Sequence, residues 1–143
     1  MSEIEALRVA IEKGDLDLVG RLLVENPSLA DSHEKAPPPL HFAVYLDRPR
    51  MVELLLDHGA SIESRDQDRD TTPLRYAIVY ARKGIIRLLV ARGASLGPKD
   101  EGGTTALDVA RRGAAGGFEE YVELPSREEY REVVALLEAL GAE

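Results

Sequence analysis

Cysteine and tryptophan are absent from this 143-residue sequence, and aromatic residues make up only 5% of it. The absence of cysteine excludes disulfide bonds and thiolate-bound metals. No apolar run approaches the roughly 18 residues that a membrane-spanning helix needs. The acidic residues 1–5 also lack the apolar core of a secretory signal. We therefore expect a cytoplasmic protein that does not associate with membranes.

Positive charge is also scarce, because 18 Lys and Arg residues stand against 26 Asp and Glu residues, for a net charge of −8. Nucleic-acid binding depends on a concentrated positive surface, so we expect no nucleic-acid partner. A basic protein would complement such an acidic surface better. The apolar content of 44% is sufficient for the core of one ordinary domain.

One short segment repeats along the chain. Residues 39–43 (PLHFA) recur at 72–77 (TPLRYA) and at 105–110 (TALDVA), with a fainter copy at 7–10 (LRVA). A period of about 33 residues with a T-P-L-H-x-A signature is typical of ankyrin repeats. The sequence therefore resembles the ankyrin-repeat family, in about four copies that cover nearly the whole chain.

The resemblance implies an all-α solenoid of helix–turn–helix units joined by hairpin-like turns, called fingers, in a single domain 1–143. We predict repeats at about 3–32, 33–66, 67–99 and 100–143, with the outer two serving as caps. The first repeat should contain a helix over 3–13 and a second helix that runs to about Glu25.

Several helix ends follow from residue chemistry alone. Asp15 should cap the second helix, and Ser126 should open the last one as part of a capping box. Asn26 can take the left-handed cap position, and Asp70 suggests either a left-handed residue or a rearranged turn. In the third repeat the glycine of the turn between helices is Gly84, a few positions late.

The last repeat is interrupted. Aligning Gly93 with Gly141 gives a spacing of about 48 residues instead of 33, which places an insertion at about 113–127. A loop this long in a compact array is usually functional or disordered. Residues 118–124 of the insertion alternate aromatic and acidic side chains and could form a recognition element, either edge-like or a short helix. Equally, Phe118 and Tyr121 could fold back onto the last repeat. The residues leave both alternatives open.

No motif indicates catalysis, a metal or a cofactor. The three histidines, His33, His41 and His58, lack the spacing of metal ligands on one helix. His41 is the signature histidine, for which the resemblance implies a structural bond to finger backbone. The acidic run 66–70 begins like a calcium loop, but the glycine and the final glutamate are missing. We therefore expect a protein that is not an enzyme and uses no cofactor.

The resemblance places a partner protein against the concave face, formed by the fingers and the exposed side of each first helix. Apolar or aromatic residues at four such positions should form one patch, with Tyr45 and Tyr80 as anchors. The expected partner-binding residues are Tyr45, Leu46, Arg69, Val79, Tyr80, Arg111 and Arg112, with Phe118 and Tyr121 of the insertion as secondary contacts.

The first interpretation is a monomeric, non-catalytic adaptor that binds a protein partner. The second is a dedicated inhibitor or immunity protein that occludes a basic enzyme or toxin. An enzyme is the third and weakest interpretation.

Overall fold

The computed structural model describes residues 1–67, 70–97 and 104–142. Within these ranges the chain forms α-helices, one 3-10 helix and no β-strand beyond an isolated bridge between Asp66 and Thr71. The chain divides into two compact units, Met1–Pro73 and Leu74–Glu143.

The first unit contains two helix pairs. Its helices are α1 (Glu3–Lys13), α2 (Leu16–Glu25), the 3-10 helix (Pro27–Asp31), α3 (Pro39–Tyr45) and α4 (Pro49–Asp57). The second unit repeats the pairing. Its helices are α5 (Pro73–Val79), α6 (Lys83–Ala91), α7 (Ala106–Ala114) and α8 (Arg127–Ala139). Pro73, the first residue of α5, is counted with the first unit.

Most helix ends are where residue chemistry predicts them. The Asp15 side chain accepts a hydrogen bond from the Leu18 N–H at 3.1 Å, and Ser126 accepts one from the Glu129 N–H at 3.2 Å. The expectation for Asn26 is wrong, because its φ is −139° and the chain turns directly into the 3-10 helix. Proline at position 27 suits the start of that helix and explains the extended residue before it.

A left-handed residue joins the two helices in each of three successive repeats. These residues are Gly14 (φ 75°), Asp47 (φ 58°) and Ala81 (φ 54°), about 33 residues apart. The assignment of Gly84 to this turn is wrong, because Gly84 lies inside α6. Of the two alternatives for Asp70, the left-handed residue is the one observed, with φ 50°.

Apolar side chains on one face of each helix form the two cores. In the first unit the fully buried set includes Leu7, Ile11, Val19, Leu23, Leu40, Val44, Val52 and Leu55. In the second unit it includes Ile78, Ile85, Ile86, Leu89, Leu107, Tyr130, Val133 and Leu137. On α8, Leu136 is buried, whereas Val134 and Leu140 are only half-buried.

Hydrogen bonds connect α1, α3 and α5, the first helices of three repeats, to the finger that follows each of them. The donors Arg8, His41 and Arg75 occupy equivalent positions about 33 residues apart. Their respective acceptors are the backbone carbonyls of Pro37, Thr71 and Thr104, at 2.6 Å for Pro37 and 2.6 Å for Thr71. The bond of His41 confirms its expected structural role, and arginine takes that role in the neighbouring repeats.

Candidate functional site

Tyr45 and Leu46 end the first helix of the second repeat. Tyr45 is the last residue of α3 and its side chain is 41% exposed, whereas Leu46 caps the helix and is half-buried. Within the 7 residues of α3, Leu40 and Val44 are buried, whereas Tyr45 ends the helix with an exposed side chain. Of the two residues, Tyr45 therefore presents the larger accessible apolar surface.

Val79 and Tyr80 are the equivalent pair in the second unit. Both are half-buried, and the Tyr80 ring packs against Tyr76 with ring centroids 5.2 Å apart. The Arg82 guanidinium lies 5.9 Å from the centroid of the Tyr80 ring, within the range of a cation–π contact. Tyr80 is therefore held between two neighbours and has a fixed orientation.

Arg111 and Arg112 lie exposed in the last turn of α7, where positive charge complements the helix dipole. The aliphatic stem of Arg112 packs over Gly117, at a distance that leaves no room for a Cβ there. Arg69, the remaining charged residue of the expected set, lies outside the described residues.

The bounds of α7 and α8 place the insertion at residues 115–126. Two consecutive turns give it a defined backbone. The Tyr121 N–H donates to the Phe118 carbonyl at 3.0 Å, and the Leu124 N–H donates to the Tyr121 carbonyl at 3.0 Å. The insertion is thus folded, with backbone hydrogen bonds both within itself and to α7.

Phe118 and Glu119 attach the insertion to α8. The Phe118 ring meets the edge of the Tyr130 ring, with centroids 5.5 Å apart and an interplanar angle of 61°. Glu119 accepts two hydrogen bonds from Arg127, one from Nε and one from Nη2 at 2.7 Å. These hydrogen bonds lower the pKa of the Glu119 carboxyl. Phe118 and Tyr121 therefore behave differently. Phe118 folds back onto the last repeat, whereas Tyr121 stays 55% exposed.

A shallow depression of about 300 Å³ lies between Tyr80 and the end of the insertion. Its lining residues are Tyr80, Arg82, Glu123, Leu124, Pro125, Ser126 and Glu129. The second unit thus brings together one residue expected on the concave face and a part of the insertion. Glu123 and Val122 both lie in the predicted recognition segment 118–124, although neither is among the expected partner-binding residues, and Val122 is 96% exposed.

The two buried residues with perturbed ionisation serve the fold. Burial raises the pKa of Tyr130 to about 12, with further contributions from Glu129 and Tyr80, so its hydroxyl remains a donor to the Val79 carbonyl. Burial lowers the pKa of His41, although its hydrogen bond to Thr71 acts in the opposite direction. Both side chains are therefore neutral at pH 7 and already engaged with backbone.

The described part of the chain contains neither a metal-binding cluster nor a membrane-spanning helix. Over residues 1–67, 70–97 and 104–142, no group of three or more His, Asp or Glu side chains is arranged to hold a metal ion. None of the helices in those ranges is both long enough and apolar enough to cross a bilayer.

A family model described as ankyrin repeats, in three copies, matches residues 3–66. This range contains α1 to α4 and the donor His41, whose acceptor, the Thr71 carbonyl, lies just beyond it. This match supports the resemblance to the ankyrin-repeat family, and the expected fold class, an all-α ankyrin-repeat solenoid, is confirmed. Ankyrin repeats are generally protein–protein interaction modules and are typically non-catalytic.

Proposed function

We propose that this chain is a monomeric, cytoplasmic, non-catalytic module that binds a partner protein through the ends of its first helices. The observation that carries the proposal is the exposure of Tyr45, 41% of whose surface is accessible at the end of α3. Aromatic side chains of this kind are favoured anchors in protein interfaces. A buried tyrosine in the core would have no such use.

The second unit supports the same function with a different arrangement. Tyr80 stands at the end of its first helix, held by Tyr76 and Arg82, and borders a depression that also contains Glu123 and Leu124. A preorganised ring lowers the entropy lost on binding. Arg69, Arg111 and Arg112 are the proposed charged contacts, and Leu46 and Val79 the proposed apolar ones.

The test is affinity capture from native lysate, followed by affinity measurement on the protein recovered. Wild type is compared with Tyr45→Ala, Tyr80→Ala and a control, Val24→Ala, whose side chain is exposed on α2. Loss of a central anchor should weaken binding by ~2 kcal/mol, or about 30-fold. Normal binding by both tyrosine variants, with unchanged circular dichroism, would show that the proposal is wrong.

A second candidate is a dedicated inhibitor or immunity protein, which the net charge of −8 favours if the target enzyme is basic. Assay of the captured partner separates the two candidates. An inhibitor would abolish the partner's activity at one-to-one stoichiometry, whereas an adaptor would leave that activity intact.

A further inference from the structure

We propose that the tip of the insertion, Tyr121 and Val122, is a preformed docking element that enters an apolar pocket bordered by Lys or Arg side chains on a partner protein. This inference rests on the proposed function, because it presumes a protein partner. It deepens that function by naming a contact outside the helix ends and the chemistry of the surface it meets.

First, the tip of the insertion is exposed to solvent. Tyr121 is 55% exposed and Val122 is 96% exposed. Across the described ranges the other large apolar side chains left exposed are Met1, Val24 and Tyr45, so the tip is the one place there where two are adjacent in sequence. Single exposed apolar residues need no explanation, but an adjacent pair at the apex of a folded loop presents a continuous apolar surface.

Rigidity is the second argument. The Gly117 N–H donates to the Arg112 carbonyl at 2.8 Å on the side where α7 ends. On the other side the pairing of Glu119 with Arg127 fixes the insertion to the first residue of α8. The turn from Phe118 to Tyr121 then sets where the tip projects. Since these contacts already order the backbone, a partner gains apolar contact with little further loss of entropy.

Charge is the third argument. Glu120 and Glu123 flank the tip, both are exposed, and neither forms an ion pair with another residue in the part of the chain that the structure describes. Glu119, by contrast, is already neutralised by Arg127. Two unneutralised carboxylates beside two apolar side chains are complementary to an apolar pocket with a basic border. Glu123 also lines the depression beside Tyr80, so the tip adjoins a contact of the proposed function.

The test begins with a photoactivatable benzoylphenylalanine placed at position 122 of the full chain. Separate variants carry the same group at positions 45 and 80, and a variant at position 24 measures background from an exposed site. Crosslinked peptides are identified by mass spectrometry. The recovered partner is then titrated with Val122→Ser and with Glu120→Gln/Glu123→Gln. The matched controls are Val24→Ser and Glu53→Gln/Glu138→Gln.

The expected result is a crosslink from position 122 to an apolar pocket bordered by Lys or Arg. Val122→Ser should then weaken binding at least tenfold, and Glu120→Gln/Glu123→Gln should weaken binding and reduce its salt dependence. The control variants should bind as wild type does. The two test variants and the two control variants should all melt at the same temperature as wild type, because each replaces only exposed side chains.

Three results would overturn the proposal, and they are distinguishable. A crosslink from position 45 or 80 but none from 122 above background refutes the docking element and leaves the proposed function standing. Background crosslinking at all three positions refutes the proposed function, and the docking element with it. A crosslink from position 122 to an acidic or uncharged surface, to a second copy of this chain or to lipid refutes the proposed partner chemistry.

Discussion

Gly113 and Tyr130 are packed so closely that a Cβ added to Gly113 would lie under 3.0 Å from three atoms of the Tyr130 ring. Gly113 belongs to α7 and Tyr130 to α8, so the glycine lets the two helices approach at the ring. The same ring carries Phe118 on its edge and donates its hydroxyl to Val79. Tyr130 is therefore the point at which α7, the insertion and α5 are joined.

Replacing Gly113 by Ala should lower the free energy of unfolding by about 1–3 kcal/mol, because the added methyl group forces Tyr130 or the helix to move. Urea denaturation followed by circular dichroism measures the change. Gly84→Ala is the matched control in the same unit, since no atom lies within 4 Å of its added Cβ. It should be neutral or stabilise by up to about 1 kcal/mol through helix propensity. Equal effects of the two substitutions would show that the close packing is unimportant.

Tyr130→Phe should destabilise by about 1 kcal/mol, because the Val79 carbonyl loses its donor while the ring packing is kept. The effect depends on pH in a defined direction. The pKa of Tyr130 rises from 10.0 in the unfolded chain to about 12 in the folded one, so the native state holds this proton more tightly. The extra stability that wild type has over Tyr130→Phe is therefore fully present below pH 10 and is lost as pH rises toward 12. An advantage that grew above pH 10 would contradict this assignment.

The stability of the protein should fall as pH decreases below 6.5, because the pKa of buried His41 lies below its ordinary value of 6.5. The unfolded chain then binds the proton more readily than the native one, so the contribution is fully present above pH 6.5. Urea denaturation at intervals between pH 7.5 and pH 5 measures the slope before most carboxylates titrate.

Two variants test whether His41 causes that slope. His41→Gln should flatten it and should destabilise the protein at pH 7.5 by about 1 kcal/mol, since the Thr71 carbonyl loses one of its two donors and keeps the Asp66 N–H. His33→Gln removes an exposed histidine that makes only the smallest contribution to the lowered pKa of His41, so it should keep most of the wild-type slope. An unchanged slope in His41→Gln would assign the acid sensitivity to other groups.

Ala81→Gly should stabilise the protein by about 0.5–1 kcal/mol, because Ala81 is held at φ 54°, where a Cβ is strained. The control is Ala91→Gly, which replaces an exposed alanine at the end of α6 and should cost about 0.5–1 kcal/mol. Thermal melts should therefore show a higher Tm than wild type for Ala81→Gly and a lower Tm for Ala91→Gly. A loss of stability in Ala81→Gly would mean that the turn is unstrained.

The fold could be predicted from the sequence to the extent that it is local. The 33-residue period, the prolines that open α3, α4 and α5, and the caps at Asp15 and Ser126 each depend on a few neighbouring residues. Ala81 shows where local reasoning fails. Glycine is the preferred left-handed residue, so Gly84 was the natural choice, yet the start of α6 at Lys83 sets the turn before it.

The candidate site could be predicted less well, because it depends on contacts between segments distant in sequence. The divergence of Phe118 and Tyr121 results from the position of Tyr130, which the sequence of the insertion does not contain. The approach of Tyr80 to Glu123 likewise requires the path of the whole insertion. The concave-face contacts expected from repeat register remain a proposal, with Tyr45 and Tyr80 as the residues to test first.

The three hydrogen bonds that join a first helix to the following finger restrict where residues can be inserted into or deleted from this chain. Each joins a donor to a carbonyl 29 or 30 residues later, and together they span 8–37, 41–71 and 75–104. Residues gained or lost inside a span would move its donor away from its acceptor. The insertion lies outside all three spans, at 115–126. That segment is therefore where this chain can accept, lose or exchange sequence during evolution without disturbing the register of its repeats.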